Sequence, residues 1–214
     1  MMEGKIFHFN LPIISFLAKG GILVIPILFC SVIAITIVLE RLYRFRKLRI
    51  KNPDLIARVK RALNEKGVDE ALFVAENSKN PLGRVLKEGI KRYRAGKEPM
   101  ERAMAFAAER EIRELERYLP ALSTVGNIAP LLGLLGTVTG MIKAFMVIER
   151  LGGRVNASVL AGGIWEAMLT TALGLSVAIP TIVAHNYLVS KLRNFTAVLQ
   201  ERLNEFLEIL DDKA

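Results

Sequence analysis

The chain contains one cysteine, Cys30, and two histidines, His8 and His185, in 214 residues. A single thiol cannot build a disulfide framework or a cysteine-based metal site within one chain. The histidines and acidic residues show no metal-ligand spacing. No phosphate-cradling glycine loop, nucleophile elbow or Cys/His pair is present. Nothing in the sequence assembles a reactive site, so neither an enzyme nor a cofactor is expected. Sheet-forming alternation is also missing, which points to an all-α chain. Aspartate is absent from every long apolar run. A proton path through a bilayer ordinarily uses a titratable group at mid-depth. Either this chain conducts nothing, or another polypeptide supplies the acid.

The chain is rich in apolar residues kept apart from charge. It is 52% hydrophobic and 24% charged, with a mean hydropathy of +0.34. Ile22–Leu39, Leu119–Ile142 and Ala167–Ala184 carry no charge at all. Each reaches or approaches the roughly 17–25 residues that a spanning helix needs. The first run lies after residue 20 and ends in arginines, not at a small-residue cleavage site, so it reads as a retained span. Residues 41–118 hold 21 Lys+Arg against 12 Asp+Glu, a net +9 equal to that of the whole chain. Basic residues flanking a span favour the cytoplasmic side. The N-terminus is therefore expected outside and the C-terminus inside. The pI of 9.8 is explained by orientation and contact with anionic lipid, and no nucleic-acid module is visible.

The expected organisation is an all-α membrane protein with three transmembrane helices and a cytoplasmic helical domain. Residues 1–40 form an outer N-terminal segment, with a possible interfacial helix at 5–20, and span one. Residues 41–118 form the cytoplasmic domain, 119–148 span two, 149–157 an outer loop, 158–189 span three and 190–214 a cytoplasmic C-terminal helix. Within the cytoplasmic domain, Asn52-Pro53-Asp54 predicts a cap with proline at the first helical position. Gly67 is expected to end that helix, and a second covers Val68–Asn77. Asn80-Pro81 predicts a third start, with Leu82, Val85, Leu86 and Ile90 on one face and Gly96 as the end. Pro99 opens a fourth helix, expected to run into span two with a kink at Pro120. Leu192, Phe195, Leu199, Leu203, Phe206, Leu207 and Leu210 give the tail an apolar face, which is expected to pack on the loop helices.

Spans two and three carry small residues at helical spacing. Gly133, Thr137, Gly140 and Ala144 lie four, three and four apart, and Gly136 with Gly140 forms a GxxxG pair. Ala167, Thr171, Gly174 and Ala178 repeat the same spacing. Such stripes let helices approach closely. The threonines could line a polar path or simply bond to their own backbones one turn back. Glu166 is the one charged residue between Arg154 and Lys191. It is either a carboxylate near the membrane surface, held close to a helix N-terminus, or an ion-entry or gating group on the face of Thr170. Lys143 is expected to snorkel to the outer interface, and His185 reads as interfacial.

The segment APLLGLLGTVTGMIKAF, with EAMLTTALGLSVAIP and a short outer loop between them, resembles the MotA/TolQ/ExbB proton channel family. Three spans look like ExbB or TolQ, whereas flagellar MotA stators have four. The resemblance implies a homopentamer in the bacterial inner membrane around a dimer of a single-span ExbD/TolR-like protein, whose aspartate takes and releases the ion. It implies work passed to a TonB- or TolA-like protein. The family's pore threonines map onto Thr137 and Thr171, and its span-three glutamate onto Glu166. Two positions depart from the familiar ExbB and TolQ pattern, Thr139 where tryptophan is common and Thr170 where proton-driven relatives often have alanine. The Thr170-Thr171 pair resembles sodium-driven stators. The transported ion is expected to be H+, with Na+ open. A flagellar-type stator and a non-conducting membrane scaffold remain the alternatives.

Overall fold

The segregation of apolar and charged residues produces long helices. The computed structural model describes residues 21–47, 54–78, 80–150 and 157–211. The helices are α1 (Val24–Lys47), α2 (Leu55–Glu65), α3 (Val68–Asn77), α4 (Pro81–Ile90), α5 (Lys97–Glu116), α6 (Leu119–Arg150) and α7 (Ala157–Asp211), with a short 3-10 turn at Tyr93–Ala95. No strand occurs among the described residues. Three helical stretches are long and apolar enough to cross a membrane. They are Val24–Lys47 (α1), Lys97–Arg150, which takes in α5 and α6, and Leu160–Glu208 within α7. The chain divides into two compact units, Met1–Val38 with Pro120–His185, and Leu39–Leu119 with Asn186–Ala214. The expected interfacial helix at 5–20 and most of the expected outer loop at 149–157 lie outside the described residues.

In the first unit, α1 turns Val24, Ile27 and Ala34 inward and leaves Ile25, Phe29, Val32 and Ile35 exposed. An apolar outer face of this kind suits hydrocarbon, where helices can span because they satisfy their own backbone bonds.

In the second unit, α2 to α5 bury one apolar core. Its members include Leu55, Val59, Leu82, Leu86, Ile90 and Met104, joined by Leu199, Leu203 and Phe206 from the end of α7. Phe195, Leu207 and Leu210 pack against this cluster, so the tail's apolar face docks on the loop helices as the spacing predicts. The Asn80 cap also forms, with the Asn80 side chain accepting from the Gly83 amide at 2.7 Å and Pro81 at the helix start. Gly67 and Gly96 both sit at positive φ, +87° and +104°. That backbone conformation favours glycine.

Three expectations are corrected. The third loop helix ends at Ile90, and Gly96 instead precedes α5, whose first residue is Lys97 rather than Pro99. The first loop helix starts at Leu55 with Asp54 at its N-cap; Asn52 and Pro53 lie outside the described residues. The fourth helix leads into span two as expected, but its interruption falls at Arg117 and Tyr118 rather than at Pro120: α5 ends at Glu116 and α6 begins at Leu119. Pro120 thereby falls in the first helical turn, where a missing amide hydrogen goes unnoticed. The C-terminal carbonyls of α5 need partners, and Arg41 supplies two. Its Nη1 donates to the Glu114 carbonyl at 2.8 Å and to the Leu115 carbonyl at 3.0 Å. The side chain is fully buried, pairs with Glu40 through Nε and Nη2, and lies 4.8 Å from the Tyr118 ring centre.

One ion pair ties α4 to α5. Arg84 Nε donates to Glu111 Oε1 at 2.7 Å and Nη2 to Oε2. The hydrogen bond that Arg84 donates to Glu111 holds the guanidinium above the usual arginine range. Glu111 is 8% exposed and Arg84 45%, so the pair lies between a surface bridge and a buried one. Glu111→Ala is expected to lower stability by about 1–2 kcal/mol, more than an exposed pair and less than a fully buried one. A fall in the melting temperature of the protein in detergent micelles checks this.

Candidate functional site

The small residues of spans two and three meet as a close-packed seam. A methyl group built on Gly133 would lie 2.9 Å from Thr171 Cα, and one on Gly140 would lie 2.9 Å from Ala167 Cβ. One on Gly174 would lie 2.5 Å from the Ala129 carbonyl oxygen and 3.2 Å from Gly133 Cα. Real Cβ atoms do not approach backbone this closely, so only glycine permits the contact. Ala144 and Ala178 are buried as well. The series facing span three is thus Ala129, Gly133, Gly136, Gly140 and Ala144. Thr137 lies one residue, about 100°, further round α6.

Thr170 and Thr171 of span three belong to the seam, in different ways. Thr171 Oγ1 donates across it to the Gly133 carbonyl at 2.9 Å. Thr170 is 2% exposed, donates to the Ala167 carbonyl at 2.7 Å and packs where a Gly136 side chain would be. Thr137 is half-buried, and its hydroxyl donates to the Leu134 carbonyl at 2.6 Å in its own helix. Thr139 does the same toward Leu135 and Gly136. Among the described residues no buried side-chain nitrogen or oxygen lacks a partner. A hydroxyl that has donated its proton to backbone still offers lone pairs. Thr137 and Thr171 therefore present oxygen lone pairs, rather than hydroxyl protons, to whatever lies beside them.

Glu166 lies one turn ahead of Thr170, whose hydroxyl also donates to the Glu166 carbonyl at 3.3 Å. Lys143 of α6 approaches Oε1 of Glu166 at 3.8 Å. A methyl group on Gly21, just ahead of α1, would lie 2.5 Å from the same oxygen. The carboxylate is thus placed where spans two and three come beside the start of span one. Sequence reading missed three participants, Gly21, Ala129 and Gly163. The last of these packs on Ala144, whose Cβ lies 2.8 Å from the position of a Gly163 side chain. Extending the four-three-four spacing one step back from Ala167 would have found Gly163. No local signal marks Gly21. No group of three or more metal-binding side chains occurs among the described residues.

Three apolar helices, two joined through a glycine seam flanked by hydroxyls, and a carboxylate paired within the helical unit define a multi-pass helical membrane protein with polar groups set between its spans. Comparison with known proteins makes the class specific. A model of the MotA/TolQ/ExbB proton channel family matches residues 77–201, and the chain belongs to that family. It is 36% identical over 175 residues to the biopolymer transport protein ExbB-like 1 of Synechocystis sp., covering 80% of this chain and 68% of the relative. It is 29% identical over 187 residues to the biopolymer transport protein exbB1 of Vibrio cholerae, covering 86% and 82%. The Tol-Pal system protein TolQ of Haemophilus influenzae is 38% identical over 113 residues, about half of either chain at 53% and 49%.

Proposed function

We propose that this chain is the channel-forming subunit of an inner-membrane motor that converts ion flow into mechanical work. Family membership supports the reading, and one geometric observation carries it. Spans two and three close on each other within a single chain while the Thr137 and Thr171 hydroxyls direct their protons to backbone carbonyls. A conduit then has to form where these helices face other copies or a partner helix, with the hydroxyl lone pairs and Glu166 as its polar lining. Thr170, packed against Gly136, supports that lining from beneath. A homopentamer around a dimer of an ExbD/TolR-like single-span protein would supply both the facing copies and the missing aspartate. A TonB- or TolA-like protein would receive the work. The net positive charge of residues 41–118 favours a cytoplasmic position for that segment and the C-terminus, with the N-terminus outside. The energy suffices, since one charge crossing 100 mV releases about 2.3 kcal/mol. The ion is H+, with Na+ the competing choice given the Thr170-Thr171 pair.

The test is flux in liposomes holding this chain and its single-span partner, under proton or sodium gradients. Thr137→Val with Thr171→Val is expected to leave assembly intact and to reduce flux about tenfold or more, because valine keeps the shape and removes the oxygens. Thr171→Ser should restore most of it. A second reading, a non-conducting scaffold, draws on the same Thr171–Gly133 bond as a packing device. It predicts undiminished ion-coupled work in the double valine variant.

A further inference from the structure

Glu166 is held by two residues to which the channel reading gives no role. Its carboxylate oxygen faces the Lys143 ammonium at 3.8 Å, from the neighbouring span. The same oxygen occupies the space a side chain at Gly21 would fill, and Gly21 sits at φ +70° ahead of the first turn of α1. Carboxylates are favoured at such helix starts. Glycine is the residue that both adopts this backbone conformation and leaves the oxygen room. Lys143 is 64% exposed in a single chain and Glu166 36%, so the ammonium can leave the carboxylate without breaking a packed core.

We propose that Lys143 is a tethered counter-cation for Glu166, which a permeating cation must displace to reach the carboxylate. The proposal rests on the channel reading for the identity of the competitor. The Lys143–Glu166 contact itself stands on geometry alone. A lysine ammonium is a point charge on a flexible four-carbon stem, so it can swing away and return as a covalently attached competitor. A cation that reaches this carboxylate must take the position that the ammonium holds at 3.8 Å.

Two measurements test it on the full chain assembled with its partner. In flux assays against outer proton or sodium concentration, Lys143→Gln is expected to lower the half-saturating concentration by up to about fivefold, the scale of an exposed ion pair, with little change in maximal flux. Lys143→Arg should stay near the unmodified protein. In a Glu166→Gln background, Lys143→Gln should have no further effect. The second measurement needs no flux. A water-soluble carbodiimide joins a carboxyl group to a neighbouring amine as an amide and leaves as a urea, so it should cross-link Glu166 to Lys143, which approach at 3.8 Å, and Lys143→Gln or Glu166→Gln should abolish the link. Absence of the cross-link in the unmodified protein overturns the counter-cation whatever the flux shows. A cross-link together with an unchanged half-saturating concentration in Lys143→Gln overturns the competition. Absence of flux in the unmodified assembly overturns the channel reading and, with it, displacement by a permeating ion, while the cross-link still decides the Lys143–Glu166 pair.

Discussion

Gly174→Leu is expected to force spans two and three apart and to lower the stability of the membrane unit by about 3 kcal/mol or more. A single methyl group at this position already meets the Ala129 carbonyl oxygen at 2.5 Å and the Gly133 backbone at 3.2 and 3.3 Å. These atoms are backbone and cannot rotate aside, so the whole helix must move. Separation also lengthens the Thr171–Gly133 hydrogen bond, now 2.9 Å, and leaves a carbonyl without its second partner in an apolar setting. Gly136→Ala should be milder than leucine at Gly174 because it adds only one methyl group, although that group too meets fixed atoms, the Cβ and hydroxyl of the buried Thr170. Gly162→Ala should be neutral or stabilising by up to about 1 kcal/mol, since nothing lies within 4 Å of its side-chain position. Melting temperatures of the three variants in detergent, ranked in this order, check the seam. Equal effects at Gly174 and Gly162 would show that the helices do not meet there.

Arg41→Ala has the second largest expected effect, a loss of about 2–4 kcal/mol in the loop-helix unit. The guanidinium is fully buried and serves two helix-terminal carbonyls, the Glu40 carboxylate and the Tyr118 ring. Truncation removes a cation from a helix C-terminus, where it is favoured, and leaves Glu114 and Leu115 carbonyls short of partners. Arg41→Lys should recover part of the loss, since one ammonium keeps the charge but lacks the planar fork. The effect should be local. Hydrogen exchange of amides across residues 116–122 should speed up by a factor matching the lost stability, while amides in α2 change less. A change confined to α2 would overturn the assignment.

Much of the architecture is legible along the chain because its cause is local. A charge-free run of sufficient length makes a span, whichever other residues surround it. Asn80-Pro81 starts a helix because an asparagine oxygen three residues ahead of an orphan amide can cap it. The tail's apolar face docks because Leu199, Leu203 and Phe206 recur at one angle around a helix. The small-residue stripes announce a close helix contact for the same reason. Their rotational phase is less legible. Helical spacing admits either Thr137 or Gly136 as a member of the face, and only the packed pair of helices selects Gly136.

The apolar runs, their caps and their amphipathic faces were thus determined by the amino-acid order itself, since each depends on neighbours within one or two turns. Tertiary structure decided the break at Arg117 and Tyr118, stabilised by an arginine 73 residues from Glu114. It decided that Thr171 bonds a carbonyl 38 residues away, and that Lys143 and Gly21 both adjoin Glu166. Helical periodicity says which side chains share a face; it does not say which face of another helix will meet them, and that depends on how the backbones approach and rotate when they pack.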